Sequence, residues 1–301
     1  MKKRRWAMMG VLMLCGGMLS GCVQDAPKEE PVQETQTSAV TAQTADEVEE
    51  KELYAQRQDL RIYGVLYTPQ GVEEKLPVII YAHGLGGSYQ YGIPYARAMA
   101  SRGFAVYCFD FCGGSPGSRS DGEQTEMSVF SEQQDLEAVI GMLRAREEID
   151  EENIFLLGSS QGGMVSAMTA ADHEEEIAGA VLLYPAFVLV DDAKERFASV
   201  EDVPDTYDHL FMQVGRAYAE ALLDDDVYAD IAGYARDVLI IHGDADPIVP
   251  LSYSQKAVQV LPSAELKVIP GAGHGFSGED EQQAITWMAE YFLSHVNEQK
   301  G

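Results

Sequence analysis

A serine, an aspartate and a histidine stand in this sequence in surroundings that suit acyl-transfer chemistry. Ser160 lies in the pentapeptide 158–162, Gly-Ser-Ser-Gln-Gly, directly after an apolar run. A serine hydroxyl is a weak nucleophile, so it needs a base to take its proton and a carboxylate to orient that base. His274 and Asp246, each in a loop after an apolar run, can supply both. The three residues therefore predict a nucleophilic serine with a histidine base.

The flanks of the pentapeptide favour this interpretation over a chance glycine-rich turn. Residues 153–157 (NIFLL) predict a strand, and residues 163–168 (GMVSAM) predict the start of a helix. Gly158 and Gly162 stand two residues before and two after the serine, where small residues allow the tight strand-to-helix bend of a nucleophile elbow. Ser160 would then lie at the tip of that bend.

The base and its carboxylate each have rivals in the sequence. Of the six histidines, His274 alone stands in a glycine-flanked loop, 271–276, after the last predicted strand, which gives its ring room to reach Ser160. Asp246 lies in the run 242–250, HGDADPIVP, and Asp244 lies two residues earlier on the same predicted loop. The local pattern alone leaves the choice between these two aspartates open.

The apolar pattern predicts an α/β fold that would position these residues. Short apolar runs alternate with helical patterns, which is typical of a mostly parallel sheet covered on both faces. An opening pair of alternating polar and apolar segments, 53–58 and 61–68, predicts an antiparallel hairpin at the sheet edge. Together these predict eight strands. The six further strands are expected at 76–82, 104–109, 154–157, 179–184, 238–242 and 265–269, and helices near 89–101, 131–147, 161–171, 252–261 and 280–296.

One segment, 188–236, interrupts this alternation. It is acidic, contains Tyr, Phe and Met, and lies between two predicted core strands. A connection of this length inside a compact domain is usually functional. We predict a cap over the carboxyl ends of the strands, where α/β sheets place their sites. A surface insertion far from the site is the alternative.

The first residues of the chain predict export. A basic start is followed by an apolar stretch that is short for a membrane span, so residues 1–21 predict a cleaved signal peptide. The stretch ends in Leu-Ser-Gly-Cys at 19–22, which resembles the lipobox of bacterial lipoproteins and implies lipidation of Cys22. An ordinary signal peptide with a chance cysteine is the alternative. The following residues, 22–52, predict a disordered acidic tether, so that the domain would span 53–301.

Charge and cysteine content narrow the class of partners. The chain carries 21 basic and 49 acidic residues and a formal net charge of −28, which disfavours nucleic acid as a partner. Beyond Cys22, the mature chain would hold Cys108 and Cys112, which predict two buried free thiols. A disulfide would be possible only if the chain turned sharply after Phe111. Neither cysteine stands in a metal-binding motif.

From about Tyr54 to Val296 the chain resembles the α/β-hydrolase superfamily, whose order of serine, aspartate and histidine it shares. Within that superfamily it most resembles bacterial esterases of the cinnamoyl or feruloyl type, and it is also similar to prolyl oligopeptidase-like peptidases. The likeness lies in the placement and length of the cap and in HGLGG at 83–87, FDFCGGS at 109–115 and GSSQGG at 158–163.

The resemblance implies an α/β-hydrolase fold and a Ser-His-Asp ester hydrolase that needs no cofactor or metal. Its His-Gly-x-x-Asp pattern favours Asp246 over Asp244. It also implies that the backbone N–H groups of Gln161 and Leu85 form the oxyanion hole.

We therefore expect an exported, lipid-anchored hydrolase of small acyl or cinnamoyl-type esters at a bacterial membrane. The alternatives are a serine peptidase or acyl-peptide hydrolase and, less favoured, a ligand-binding lipoprotein without activity.

Overall fold

A sheet of eight strands lies at the centre of the computed structural model, which describes residues 48–296. The predicted signal peptide, Cys22 and most of the predicted tether lie outside the described residues. Two further strands pair with each other in a separate small sheet. In chain order the strands are β1 Val48–Arg57, β2 Leu60–Pro69, β3 Leu76–Ala82, β4 Ala105–Phe109, β5 Ile149–Ser159, β6 Gly179–Leu183, β7 Thr206–His209, β8 Met212–Gly215, β9 Val238–Gly243 and β10 Ala264–Ile269.

The large sheet has the order β1-β2-β4-β3-β5-β6-β9-β10. Strand β2 is antiparallel to both of its neighbours, and every other neighbouring pair is parallel. The carboxyl ends of β3, β5, β6, β9 and β10 therefore meet at one edge, where an open α/β sheet places its site. The predicted mostly parallel, eight-stranded α/β-hydrolase sheet is confirmed.

Helices cover both faces of this sheet, as predicted. Along β3, Val78 and Ile80 contribute to the core beneath the helices at Val129–Arg144 and Gln161–Asp172, whereas Ile79 and Tyr81 contribute to the core beneath the helices at Ile93–Ala100 and Glu279–His295. Because both faces are buried, the strands read as continuous apolar runs. The helices are α1 Ile93–Ala100, α2 Val129–Arg144, α3 Gln161–Asp172, α4 Leu189–Arg196, α5 Arg216–Leu223, α6 Val227–Ile231, α7 Leu251–Val260 and α8 Glu279–His295.

The first strand begins earlier than the sequence pattern indicates. β1 starts at Val48 and pairs with β2 along its whole length, so the predicted boundary between tether and domain at residue 53 falls inside a strand. The residues Glu49 to Glu52 are exposed and charged, which concealed the strand. Charged side chains are compatible with a strand at the edge of a sheet, since backbone hydrogen bonds hold the strand in place. Their charges also discourage pairing of this edge with another chain.

Strand β5 also begins earlier than predicted, at Ile149 rather than Ile154. Its pairing with β3 shifts register between Ile149 and Ile154. The intervening Asp150 accepts hydrogen bonds from the side chain of Asn153 at 2.6 Å and from the backbone of Glu152 at 3.2 Å. This polar bulge interrupts the apolar pattern from which the strand was predicted.

The segment 188–236 folds into α4, the β7–β8 hairpin, α5 and α6. The tip of the hairpin, Leu210 and Phe211, lies against the turn that follows β3, because a Cβ atom at Gly86 would stand 2.5 Å from the Phe211 ring. The insertion thus lies at the carboxyl edge of the sheet, and it is called the cap below.

Two cysteines lie in the described part of the chain. Cys108 and Cys112 are free and buried, as predicted. Burial raises the pKa of both thiols, so they stay protonated near neutral pH. No helix within residues 48–296 combines the length and the apolar character needed to cross a bilayer.

Candidate active site

Ser160 lies between the end of β5 and the start of α3, with φ of +52° and ψ of −120°. Residues other than glycine rarely adopt positive φ, and they do so only where surrounding contacts fix the backbone. Here the Ser160 N–H donates to the Leu183 carbonyl at 2.9 Å. The Ser160 carbonyl accepts from the N–H groups of Gly163 and Ala186, both at 2.9 Å. The N–H and the carbonyl group of Ser160 are therefore both fixed by hydrogen bonds.

The two glycines of the pentapeptide are required by close backbone approach. A Cβ atom at Gly158 would lie 2.2 Å from the Gly162 carbonyl oxygen, and one at Gly162 would lie 2.3 Å from the Ala82 carbonyl oxygen. Neither distance is possible for a real side chain. The elbow thus packs backbone against backbone between β5, α3 and the end of β3.

The three residues singled out from the sequence form one chain of hydrogen bonds. The Ser160 Oγ atom is 2.9 Å from His274 Nε2, and His274 Nδ1 is 2.7 Å from Asp246 Oδ2. An ionised carboxylate only accepts, so His274 Nδ1 carries the hydrogen and Nε2 is free to accept the proton of the serine hydroxyl. His274 follows β10 and Asp246 follows β9, at the same edge of the sheet as Ser160.

The side chain of Asp246 is fully buried and has several donors around it. Its Oδ1 atom accepts from the N–H groups of Ile248 at 2.8 Å and Val249 at 2.9 Å. Burial alone would raise the pKa of Asp246, but hydrogen bonds from His242, His274 and these two N–H groups outweigh it and hold the pKa well below its usual range. The Asp246 carboxylate is therefore ionised and can accept the hydrogen bond from His274 Nδ1.

The rival carboxylate, Asp244, has a different position. It is exposed, and its Oδ1 atom accepts from the Gly271 N–H at 2.6 Å, so it braces the loop that carries His274 rather than touching the imidazole. The structure brings Asp246, and not Asp244, to His274.

A second histidine touches Asp246, and sequence reasoning missed this contact. His242 is buried, and its Nε2 atom lies 2.9 Å from the Val249 carbonyl and 3.3 Å from Asp246 Oδ2. Since both of these partners only accept, Nε2 carries the hydrogen and Nδ1 accepts from the Ser254 hydroxyl at 2.7 Å. The four-residue spacing from His242 to Asp246 was the available signal.

The turn after β3 lies directly beside Ser160. A Cβ atom at Gly84 would stand 2.9 Å from the Ser160 Cβ atom. His83 accepts from the Phe111 N–H at Nε2, so Nδ1 carries the hydrogen and donates to the Gly84 carbonyl at 2.8 Å. Burial lowers the pKa of His83, which keeps this neutral form.

Fixing the Gly84 carbonyl also fixes the Leu85 N–H, because the two groups belong to one planar peptide. The same carbonyl accepts a second bond, from the Gly87 N–H at 2.9 Å. Among residues 48–296, neither the Leu85 N–H nor the Gln161 N–H has a hydrogen-bond partner. Two unpaired donors thus flank Ser160, as an oxyanion would require.

Comparison with protein families decides the class of this chain. A family model described as "alpha/beta hydrolase fold" matches residues 77–217, and a second one, described as "TAP-like protein", matches residues 224–300. The chain has the α/β-hydrolase fold. The α/β-hydrolase is 24% identical to the uncharacterized protein YfhR of Escherichia coli O157:H7 over 230 residues, 75% of this chain and 74% of YfhR. It is 30% identical to the quorum-quenching protein AidA of Acinetobacter baumannii, but over only 38% of this chain and 37% of AidA.

Solved structures share the fold of this α/β-hydrolase. Est1E from Butyrivibrio proteoclasticus, solved with ferulic acid bound, superposes with a TM-score of 0.75 at 23% identity, covering 81% of this chain and 98% of Est1E. A monoacylglycerol lipase from Paleococcus ferrophilus superposes with a TM-score of 0.61 at 20% identity, covering 78% and 99%. At these identities the structures establish a common architecture.

A cavity of about 530 Å³ opens onto Ser160 and His274 of the hydrolase. The cap contributes Leu210 and Phe211 to its rim, and both side chains are exposed. Among the described residues that line it there is no Lys or Arg, and Glu281 is the sole carboxylate. The cavity is otherwise rich in aromatic rings, namely Tyr81, Tyr91, Tyr95, Tyr184, Phe211 and Phe276.

Tyr184 is a second residue of the hydrolase site that sequence reasoning missed. Its ring packs edge-on against His274 at a centroid distance of 4.8 Å and against Phe276 at 4.9 Å. It has a positive φ of 39°, and its N–H donates to the Ile241 carbonyl at 2.8 Å. The ring limits the orientations of His274, which supports the bond to Ser160.

No group of three or more His, Cys, Asp or Glu side chains in residues 48–296 is arranged to hold a metal ion. The predicted lipidation residue, Cys22, lies outside the described part of the chain.

We expect Asp246→Asn to slow the reaction of Ser160 with a fluorophosphonate probe by about 10⁴-fold, because the amide would stabilise the wrong imidazole tautomer. Asp244→Asn is the matched control, since it makes the same chemical change two residues away, and it should retain labelling within about tenfold. Labelling rates measured by gel fluorescence check both. Equal loss in the two variants would contradict the assignment of Asp246 to His274.

Proposed function

We propose that this α/β-hydrolase is a serine ester hydrolase, exported and lipid-anchored, that cleaves small acyl or cinnamoyl-type esters. The observation that carries the proposal is the hydrogen-bonded chain from Ser160 through His274 to Asp246. The two unpaired N–H groups beside it, on Leu85 and Gln161, support the same chemistry.

In the first half of the reaction Ser160 Oγ attacks the ester carbonyl carbon while its proton passes to His274 Nε2. The carbonyl oxygen becomes an oxyanion and accepts from the Leu85 and Gln161 N–H groups. Loss of one such donor costs about 10²–10³ in rate in other serine hydrolases. The ionised Asp246 stabilises the imidazolium that forms. Collapse of the tetrahedral intermediate breaks the C–O bond, and the leaving alcohol takes the proton from His274.

In the second half a water molecule replaces the alcohol. His274 accepts a proton from the water as its oxygen attacks the acyl carbon, and the oxyanion is stabilised by the same two N–H groups. Collapse returns the proton to Ser160 Oγ and releases the carboxylic acid. The cycle consumes one ester and one water molecule, yields one alcohol and one carboxylic acid, and needs no oxidant or reductant.

The lining of the cavity supports esters with an apolar or aromatic group. Six aromatic side chains, including Phe211 at the tip of the cap, surround the space in front of Ser160 together with the neighbouring Leu210. Aromatic rings prefer edge-to-face or offset contact with other rings, so a planar cinnamoyl group suits this lining. Est1E, which shares the fold, has been solved with ferulic acid bound.

Replacement of Ser160 by Ala tests the proposed chemistry. We expect kcat for p-nitrophenyl acetate to fall by about 10⁶-fold, because the residues of a triad act as a unit. Assays of p-nitrophenyl acetate, methyl ferulate and aminoacyl p-nitroanilides on the parent enzyme, at equal concentrations, compare ester with amide cleavage. Near-normal activity of Ser160→Ala would refute the nucleophile. Faster amide cleavage by the parent enzyme would favour a peptidase, and absence of both activities and of probe labelling would favour a binding protein.

The charge of the cavity supports a preference among esters of equal shape. Glu281 lines the cavity, and it forms no salt bridge with any residue in 48–296. The net charge of −28 adds a field that attracts cations and repels anions. We therefore propose that cationic esters are favoured over neutral ones, and anionic esters disfavoured.

Acetylcholine and 3,3-dimethylbutyl acetate form a suitable pair, because they differ only in a quaternary nitrogen replaced by carbon. We expect Glu281→Gln to lower the kcat/KM ratio of acetylcholine to 3,3-dimethylbutyl acetate about two- to fivefold at low salt, the size of a partly exposed charge interaction. Glu279→Gln removes a charge from the same helical turn but not from the cavity lining, and it should leave the ratio unchanged. An unchanged ratio in Glu281→Gln would exclude Glu281 as a determinant.

Export and anchoring are proposed from the sequence of residues 1–22. A lipidated Cys22 would carry more than one acyl chain, which stable anchoring requires. We expect Cys22→Ala to move the enzyme from the membrane pellet to the soluble fraction of a bacterial expression host, with kcat unchanged in detergent. Immunoblots of the fractions locate the protein, and feeding with radiolabelled palmitate tests whether it is lipidated. A parent protein that takes up no label and stays soluble would contradict the anchor.

A further inference from the structure

A chain of three buried polar side chains has the residue that follows Ser160 at its centre. The side chain of Gln161 is fully buried, and its Nε2 atom donates to Glu132 Oε2 at 2.7 Å. The Tyr218 hydroxyl donates to Gln161 Oε1 at 2.6 Å. Glu132 belongs to the first turn of α2, and Tyr218 belongs to α5 of the cap. Helix α2, the elbow and the cap thus meet at one amide group.

Burying these three polar side chains costs free energy of desolvation, which indicates that they do more than fill space. Glu132 and Tyr218 are each only 1% exposed, and Glu132 Oε1 has no partner among the described residues. Apolar residues of similar volume would fill such a site without the desolvation penalty. Burial raises the pKa of Glu132 to about 8, against the opposing effect of the bond from Gln161, so the carboxyl is neutral at pH 7.

The hydrogen bonds to the Gln161 side chain also restrain the backbone of this residue. Its backbone N–H is one of the two unpaired donors beside Ser160, and its side chain is held at both ends of the amide. Holding the amide at both ends restricts rotation about the side-chain bonds and limits movement of the Cα atom, and with it the direction of the N–H. The Tyr218 bond also fastens the cap to the elbow.

We propose that Glu132 and Tyr218 are positioning residues for the oxyanion hole, acting through the side chain of Gln161. This inference rests on the proposed hydrolase function. A donor aimed at the oxyanion acts mainly in the transition state, so loosening it lowers kcat more than it raises KM. A cap that moves away from the elbow would loosen the same donor.

The first test removes one hydroxyl. We expect Tyr218→Phe to lower kcat for p-nitrophenyl acetate about tenfold, with KM changed less than twofold, since the donor is displaced rather than lost. Tyr228→Phe is the matched control. Tyr228 lies in α6 of the cap and its hydroxyl also makes one hydrogen bond, to the Tyr253 carbonyl at 3.0 Å, and this bond does not involve the elbow. Its kcat should stay at the parent value.

The second test uses pH. Above about pH 8 the parent enzyme gains a buried negative charge on Glu132 next to the elbow, so kcat should fall there. Glu132→Gln keeps an oxygen that accepts from Gln161 but cannot ionise, so this alkaline fall should be absent while activity at pH 7 is retained within about threefold. The other titratable groups facing Glu132 are Asp135 on α2, paired with Arg57 of β1, and Tyr218 on α5. Burial raises the Tyr218 pKa well above this range.

A third measurement separates this inference from the proposed function. Hydrogen exchange of the peptide segment 156–165, followed by mass spectrometry, should be faster in Tyr218→Phe than in the parent and unchanged in Tyr228→Phe. If the parent hydrolyses no ester and this difference persists, the proposed function fails and the positioning of Gln161 stands. Parent-like exchange in Tyr218→Phe overturns the positioning. With an active parent, so does parent-like kcat in Tyr218→Phe, or an alkaline fall that persists in Glu132→Gln.

Discussion

The backbone of Ser160 is the constraint on which the rest of the site depends. Its positive φ turns the side chain away from the sheet toward the cavity, and such a conformation costs of order 1–3 kcal/mol. That cost is offset by hydrogen bonds from three directions: the end of β6, the start of α3, and the chain entering the cap at Ala186. Because these contacts require close approach, glycines are needed at 158 and 162. Thus the sheet order, the elbow sequence and the connection to the cap all contribute to holding the φ angle of Ser160 at its positive value.

Electrostatics within the site follow from where the polar groups are buried. Asp246 has four donors and remains ionised, so it can orient His274 and stabilise its protonated form. Glu132, with one donor from Gln161, is neutral at pH 7. The two carboxyl groups thus take opposite states for the same physical reason, the number of hydrogen bonds that compensate desolvation. This difference lets a carboxylate face the base while no second charge disturbs the oxyanion hole.

Much of this could be predicted from the sequence. Strand β3 was predicted to the residue, because a fully buried parallel strand is a continuous apolar run with sharp ends. Ser160, Asp246 and His274 were predicted because each follows such a strand. The starts of β1 and β5 were missed, since exposed glutamates on an edge and a polar bulge around Asp150 do not read as strands. Tyr184 and the contact of His242 with Asp246 were missed because they depend on packing between loops far apart in the sequence.

The side chain of Gln161 shows why some functional residues escape sequence reasoning. The prediction for this position concerned its backbone N–H, which any residue except proline would supply, so the side chain carried no signal. Its partners come from α2 and from α5, which are separated from it by 29 and 57 residues. Only the fold brings them together. Because the cap thereby contacts the same residue whose N–H we propose stabilises the oxyanion, changes in the cap should affect the rate of the reaction as well as the choice of substrate.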